Sequence, residues 1–218
     1  MILEDQGFSI LPSAVSDDTL EKLRHMLFQG STPGERCLLD HPLVHDTALF
    51  LKHQLSTSGY FNAPTVAIQA ITFSKTATTN WKVAWHQDLM FPFASRVSSA
   101  GFDLPTIKQG IHYARPPVTV LDQLLAVRLH LDDCDVTNGP LRISPGTHRS
   151  GILKTDEISE IISTHGAIPC LAGNGDLVLM RPLCLHASSQ ATEPKNRRIL
   201  HFVYFCGDPI PESWHRSI

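Results

Sequence analysis

The sequence has no paired-cysteine signature, no excess of basic charge and no apolar run long enough to cross a bilayer. Each absence closes off a class of function. The five cysteines (Cys37, Cys134, Cys170, Cys184 and Cys206) are odd in number, and no two are spaced as C-x-x-C. That predicts reduced thiols in a cytoplasmic protein rather than a disulfide frame or a structural zinc site. A net charge of −3 argues against a nucleic-acid partner, which calls for a basic face. The lack of a spanning run argues against a membrane protein. The opening residues, Met1-Ile2-Leu3-Glu4-Asp5-Gln6, lack the basic and apolar regions of a secretory leader. Repeats and low-complexity tracts are also missing. The 218 residues, 42% of them hydrophobic, therefore read as a single domain, 1–218, with enough apolar mass for a core.

Residues 1–62 read as a mainly helical lead. Gly7-Phe8-Ser9-Ile10-Leu11-Pro12 is a short extended entry, and Asp18-Thr19-Leu20-Glu21 has the form of a capping box with Asp18 as N-cap. Leu20, Leu23 and Leu27 recur at helical spacing before Gly30. A second helix is expected from Asp40 or His41, with Pro42 in its first position and a stripe of Val44, Ala48, Leu51 and Leu55. From residue 63 the character turns to β. The β-branched run 65–74 and the segment 81–88 are expected to pair as a hairpin. Residues 89–123 are broken by Pro92, Gly101, Pro105, Gly110 and Pro116-Pro117, and read as an irregular active-site lid. Strands follow at 124–131, 141–144, 167–171, 177–180 and 197–205. A short helix is capped by Thr155, and Gly173-Asn174-Gly175-Asp176 forms a hairpin turn. A helical lead and about eight short strands predict an α+β, mainly β, fold. Its core is a double-stranded β-helix (jelly roll, cupin-like) over 63–206, flanked by N-terminal helices.

The chemistry centres on Trp85-His86-Gln87-Asp88. On a strand, His86 and Asp88 present an imidazole and a carboxylate on one side, with Gln87 facing away. A distant histidine, His186, completes a 2-His-1-carboxylate triad that leaves open positions on Fe(II). His-X-Asp alone is weak in a chain with twelve histidines, and His25, His41, His45 and His53 read as solvated helix faces. Cys184, two residues before His186, reads as a buried apolar thiol rather than a ligand. Arg197 and Arg198 follow His186 by 11 and 12 residues, after a turn at Pro194-Lys195-Asn196. A guanidinium inside a barrel needs a counter-anion, and a small dicarboxylate supplies one with bidentate geometry.

These residues, with Gly7-Phe8-Ser9-Ile10-Leu11-Pro12, Asn138-Gly139-Pro140-Leu141, Pro145-Gly146-Thr147-His148-Arg149 and His186-Ala187-Ser188, resemble the phytanoyl-CoA dioxygenase family of Fe(II)- and 2-oxoglutarate-dependent oxygenases over residues 7–206. The resemblance implies Fe(II) on His86, Asp88 and His186, with 2-oxoglutarate as cosubstrate, O2, and ascorbate as reductant. It implies Arg197 on the far carboxylate of 2-oxoglutarate, with Arg198 as the alternative because strand phase is not fixed by sequence. Gln69, seventeen residues before His86, is implied as a second cosubstrate contact. His148 is implied as structural. Some relatives are halogenases in which a small residue replaces the carboxylate; Asp88 implies a hydroxylase or desaturase. Ala187 departs from the glycine that many members carry there. For a small-molecule substrate, Arg115, Tyr113 and His112 in the lid, and Arg128 and His130 on a strand face, are candidate contacts. No basic patch stands ready for an acyl-CoA, so a small metabolite or natural product is expected. Two rival readings are a cupin-like metal isomerase or hydrolase, and a non-catalytic jelly-roll binding protein. The first has no need of the arginine after His186, and the second has no need of all three ligands. The oligomeric state is left open.

Overall fold

The computed structural model describes residues 2–12, 14–30 and 32–218. Five α-helices are present among them: α1 (Ile2–Gln6), α2 (Asp17–Leu27), α3 (Pro42–Thr57), α4 (Val118–Leu121) and α5 (Ile158–His165). The strands are β1 (Phe8–Leu11), β2 (Thr65–Lys75), β3 (Val83–His86), β4 (Phe91–Phe93), β5 (Asp103–Lys108), β6 (Ile111–Arg115), β7 (Leu124–His130), β8 (Leu141–Ile143), β9 (Ile168–Cys170), β10 (Leu177–Met180), β11 (His186–Ser188) and β12 (Arg197–Cys206). Five of them form an antiparallel sheet in the order β1–β10–β7–β12–β2, and four form a second, β3–β11–β8–β9. The chain changes sheet from β2 to β3, β7 to β8, β9 to β10, β10 to β11 and β11 to β12, which is the winding of a double-stranded β-helix. No helix among the described residues is long and apolar enough to cross a membrane.

The central strands β7 and β12 are covered on both faces. Val127, Leu129, Leu200, Phe202 and Tyr204 face outward and pack against Leu20 and Leu23 of α2 and Val44, Ala48, Leu51 and Leu55 of α3. Tyr204 donates its hydroxyl to the Ala48 carbonyl at 2.8 Å, so the buried phenol is not left unpaired. By strand alternation Arg128, His130, Arg197, His201 and Val203 turn inward.

Several local expectations are corrected. The α2 N-cap is Ser16, whose extended backbone lets Oγ accept from the Thr19 N–H. Asp18 already lies in the first turn, where its charge suits the helix dipole, and it pairs with Lys22 at 2.6 Å. The α3 start is as expected, with His41 at N-cap and Pro42 first. The last short helix begins at Ile158, later than Thr155. Segments 65–74 and 81–88 do not form a hairpin: β2 pairs with β12 and β3 with β11, because the turn between them crosses from one sheet to the other. The Gly173–Asp176 turn likewise joins β9 and β10 of different sheets.

Residues 89–123 are not irregular. They form a third antiparallel sheet, β4–β6–β5, followed by α4. Pro92 and Pro105 lie on its two outer strands, where a missing N–H costs little. Gln109 and Gly110, both at positive φ, make the two-residue turn between β5 and β6. Phe91 and Phe93 are buried in a cluster with Leu124, Val203 and Phe205, which closes one end of the interior between the two larger sheets.

His130 is 1% exposed, and neither ring nitrogen has a protein partner. Burial, then the charges of Arg128 and Arg197, push its pKa from 6.5 down to about 3. The unfolded chain therefore takes up a proton that the folded chain refuses, so stability is lost as pH falls below 6.5. Between pH 7 and pH 5 this residue alone is expected to cost about 2 kcal/mol. Urea midpoints across that range should fall less steeply in His130→Leu than in the wild type; parallel pH profiles would refute the assignment.

Candidate metal centre

The ladder between β3 and β11 sets His86 directly opposite His186. Their ring centroids are 4.2 Å apart. The chain leaves β3 after His86, and the Asp88 N–H donates to the Pro182 carbonyl at 2.9 Å, which turns the carboxylate back toward both imidazoles. Asp88 Oδ1 lies 3.7 Å from His86 Nε2, and Oδ2 lies 3.5 Å from His186 Nε2. One ligand atom from each residue falls within 4.8 Å of the others. His86 Nδ1 is 2.8 Å from the Ala84 carbonyl, and His186 Nδ1 is 2.9 Å from the Cys184 carbonyl. A carbonyl only accepts, so each Nδ1 carries the hydrogen and each Nε2 turns a lone pair to the common centre.

The charge states suit the same purpose. Burial opposes ionisation of Asp88, but His186 and then His86 hold its carboxyl well below the usual carboxylate range. Burial pushes His186 down to about 4, so that ring is neutral near pH 7. At His86 burial acts downward, but Asp88 and the Ala84 carbonyl outweigh it and raise the pKa. Two imidazoles and one carboxylate on one face, each with its lone pairs directed inward, are a donor set fit for Fe(II).

Gln87 faces away from the centre, as the strand alternation predicts, but it is not idle. Its Nε2 donates to the Leu183 and Gly151 carbonyls at 2.7 and 2.8 Å, and its Oε1 accepts from the Leu153 N–H at 2.9 Å. Two backbone segments, 151–153 and the one at Leu183, are thus tied to the residue between two ligands.

A cavity of about 240 Å³ runs from the triad into the space between the sheets. Arg197 lines it, buried, opposite Lys75 in the β12–β2 ladder. Arg197 Nη1 donates to the Gly139 carbonyl, while its Nε has no partner. Lys75 Nζ donates to Ser188 Oγ and the Ser189 carbonyl, both at 2.8 Å. Burial, then the Arg197 charge, lowers its pKa to about 8. Gly139 explains the Asn-Gly-Pro-Leu motif: at φ +62°, a Cβ there would meet the Ser189 carbonyl oxygen at 2.7 Å. Asn138 Oδ1 accepts from the Lys195 N–H at 3.1 Å and so holds the turn that delivers Arg197.

Among the other expected site residues, Gln69 and Arg128 line the cavity. Three expectations are corrected. Arg198 points to the opposite face of β12 and makes a bidentate pair with Asp132 at 2.9 and 2.6 Å, so it is not available to the cavity. Arg115 is taken up by Asp103 across the β5–β6 ladder and does not line the cavity. Tyr113 is buried on the same hairpin, with Lys108 over its ring and its hydroxyl beside Cys37 and Arg36, also outside the lining. The Cys184 thiol is buried 3.4 Å from the Gly7 carbonyl, and burial pushes its pKa up to about 12, which leaves it inert. His148 Nε2 lies 3.2 Å from the Glu4 carbonyl, a structural contact. His201 and Arg36 line the site, and Lys75 stands beside Arg197 behind that lining, without having been anticipated. Strand parity with Gln69 and Arg197 carries the signal for His201 and Lys75. Arg36 lies in an irregular segment that runs along β2, through a bridge to Ile71 and hydrogen bonds from the Thr72 and Ser74 N–H groups to the Glu35 and Pro33 carbonyls, and no sequence pattern marks it.

Replacing Gln87 by leucine strands two buried carbonyls and one N–H. Gln87→Leu is expected to lose about 3 kcal/mol of stability and to bind Fe(II) more weakly than the wild type. Urea unfolding with and without metal reads both effects; an unchanged midpoint would show that the three hydrogen bonds do not hold the site.

A family model described as phytanoyl-CoA dioxygenase (PhyH) matches residues 3–199. Among curated proteins, none matches. Solved structures with the same fold include HygX from Streptomyces hygroscopicus with iron bound (TM-score 0.66, 16% identity, 94% of this chain and 84% of that one). EctD from S. alaskensis with 2-oxoglutarate and 5-hydroxyectoine superposes with a TM-score of 0.63 at 16% identity, over 94% of this chain and 74% of its own. SnoK, a non-heme alpha-ketoglutarate-dependent carbocyclase from nogalamycin biosynthesis, gives 0.67 at 14% identity, over 95% and 82%. With the family model covering nearly the whole chain and the triad in place, the chain belongs to the phytanoyl-CoA dioxygenase family of Fe(II)- and 2-oxoglutarate-dependent oxygenases.

Proposed function

We propose that the protein hydroxylates or desaturates a small metabolite or natural product, with His86, Asp88 and His186 as the Fe(II) ligands. The observation that carries this reading is the pairing, in one cavity, of three converging ligand atoms with a buried arginine that has no acid partner. When bound, iron, 2-oxoglutarate and O2 would supply the oxidising power, with 2-oxoglutarate consumed to succinate and CO2 and ascorbate as the reductant.

The chain's own residues supply the rest. His86, Asp88 and His186 would hold the metal through one ligand atom each. Arg197, with Lys75 at its side, takes the far carboxylate of 2-oxoglutarate, and Gln69 adds a hydrogen bond to the same molecule. Phe91 and Met90 line the cavity wall and exclude water from the substrate. A halogenase needs a small residue where Asp88 stands, so oxygen insertion or desaturation is the reaction type this carboxylate favours. A cavity of about 240 Å³, shared with the cosubstrate, favours a small substrate or one that enters only in part. The five cysteines are free thiols, which fits the cytoplasm.

Succinate formation from 2-oxoglutarate with Fe(II) and ascorbate tests the reading. Asp88→Ala should abolish it. Arg197→Met should raise the KM for 2-oxoglutarate roughly 100-fold while leaving metal affinity intact. Arg198→Met, altered outside the cavity, should leave that KM unchanged. A wild-type protein that neither binds nor consumes 2-oxoglutarate with Fe(II) would overturn the proposal.

A further inference from the structure

We propose that Arg128 forms a second carboxylate-binding position in the cavity, next to the metal triad and separate from Arg197. The inference rests on the oxygenase reading above and adds a ligand subsite to it.

Arg128 is 7% exposed and lines the cavity. Among the described residues no carboxylate forms an ion pair with it. Its one hydrogen-bond contact runs from Nη1 to His201 Nδ1 at 3.3 Å, and Nε has no partner. The guanidinium stacks over the Phe73 ring, 5.1 Å from the centroid, which fixes its plane. His201 contributes no charge, because burial and the neighbouring Arg128 push its pKa down to about 3. Elsewhere this fold pairs its structural arginines with acids: Arg115 with Asp103, Arg181 with Glu4, Arg198 with Asp132. A buried guanidinium without such a partner costs stability unless a ligand supplies the anion.

The cavity wall carries three arginines, Arg36, Arg128 and Arg197, against one carboxylate, Asp88. Asp88 turns its two oxygens to the two imidazoles and is committed to the metal centre. The two inner arginines also occupy different places. Arg128 stands opposite His201 in the β7–β12 ladder, four residues along β12 from Arg197. At about 3.3 Å per residue the two backbone positions are separated by roughly 13 Å. One carboxylate of 2-oxoglutarate satisfies Arg197, and a second carboxylate is needed at Arg128. Two molecules can bring it. One is 2-oxoglutarate itself, through the carboxylate at its keto end. The other is the organic substrate, which would then be an acid.

Binding to the Fe(II)-loaded protein in the absence of O2, followed by tryptophan fluorescence (Trp81 lines the cavity), separates these sources. In the first arm, 2-oxoglutarate and 2-oxopentanoate, which keeps the keto-acid end and lacks the far carboxylate, are titrated into wild type and Arg128→Gln. If the cosubstrate supplies the anion, both ligands weaken roughly 10- to 100-fold in the variant. In the second arm, with 2-oxoglutarate bound, butyrate, hexanoate and benzoate are compared with their amides. If the substrate supplies the anion, the wild type prefers the acids roughly tenfold, Arg128→Gln loses that preference, and the first arm is unchanged. Arg128→Lys, which keeps the charge but not the fork, should fall between the two and serves if the glutamine variant does not fold. Ligand-free Arg128→Gln should be at least as stable as the wild type, since it removes an unpaired buried cation. Equal binding by wild type and variant in both arms overturns the proposal. A wild type that fails to bind 2-oxoglutarate at all overturns the oxygenase reading instead.

Discussion

The short ladder between β3 and β11, which sets His86 across from His186, is the contact on which the rest of the site depends. A slip of one residue would turn one imidazole out of the centre, because side chains alternate along a strand. Strands of four and three residues do not fix their own register. Hydrogen bonds from outside the ladder do it for them. Thr147 Oγ1 accepts from the Leu185 N–H at 2.9 Å, the Ser144 N–H donates to the Leu185 carbonyl at 2.9 Å, and Gln87 ties the β3 side to Leu183. The Pro-Gly-Thr-His-Arg turn therefore matters through its threonine, which places the residue just before the distal ligand. Its histidine and arginine reach back to Glu4 and Asp5 and anchor α1. Gly7 then passes so close to Cys184 and His148 that a Cβ would meet their side chains at 2.3 and 2.4 Å. The N-terminal segment is thus a brace for the ligand-bearing strand.

That bracing is needed because the inner face is not a stable core in its own right. Lys75 and Arg197 stand side by side, and Arg128 and His130 lie buried nearby. Like charges in a poorly solvated space repel, and orphaned polar atoms lose hydrogen bonds they had in water. The outer face compensates. The helices α2 and α3 cover the five-stranded sheet with leucine, valine and alanine, and that burial supports a strained interior. Metal and anions that bind only the folded chain then add stability by mass action. The same division explains why cations could be placed where catalysis wants them without unfolding the barrel.

Much of this was legible in the residues. The His-X-Asp spacing offered His86 and Asp88, the family resemblance joined them to His186, and the β12 and β10 strands were legible from composition. What failed were inferences that treat neighbours in sequence as neighbours in a sheet. The segments 65–74 and 81–88 read as a hairpin because most short β–turn–β stretches are one; in a double-stranded β-helix the turn changes sheets instead. Residues 89–123 read as irregular because proline and glycine were counted without asking whether the strands were edges. Arg115 and Tyr113 followed from that error, since a lid residue is free to reach a substrate and a hairpin residue paired with Asp103 is not. Nothing in the sequence near Arg36 foretold its place at the cavity, which arises from the pairing of residues 33–36 with the edge of β2.

The choice between Arg197 and Arg198 shows what further rule would have helped. Alternation is silent on β12 when read as apolar against polar, because both faces are buried. Reading only the polar residues resolves it. On β12 Arg197 and His201 share one parity, and Leu200, Phe202 and Tyr204 share the other with Arg198. On β7 Arg128 and His130 oppose Val127 and Leu129; on β2 Gln69 and Lys75 fall on one side, while Thr72 and Ser74 take the other, where β2 is paired with residues 33–35. A helix-covered face admits almost no polar side chains in its middle, so the parity that collects them must be the one facing the cavity. Arg198 breaks the pattern only at the strand's end, where Asp132, just past β7, is available to pair with it. Polar parity on doubly covered strands thus separates the inner wall from the outer one. Applied to this chain, it groups Gln69, Lys75, Arg128, Arg197 and His201 as one surface.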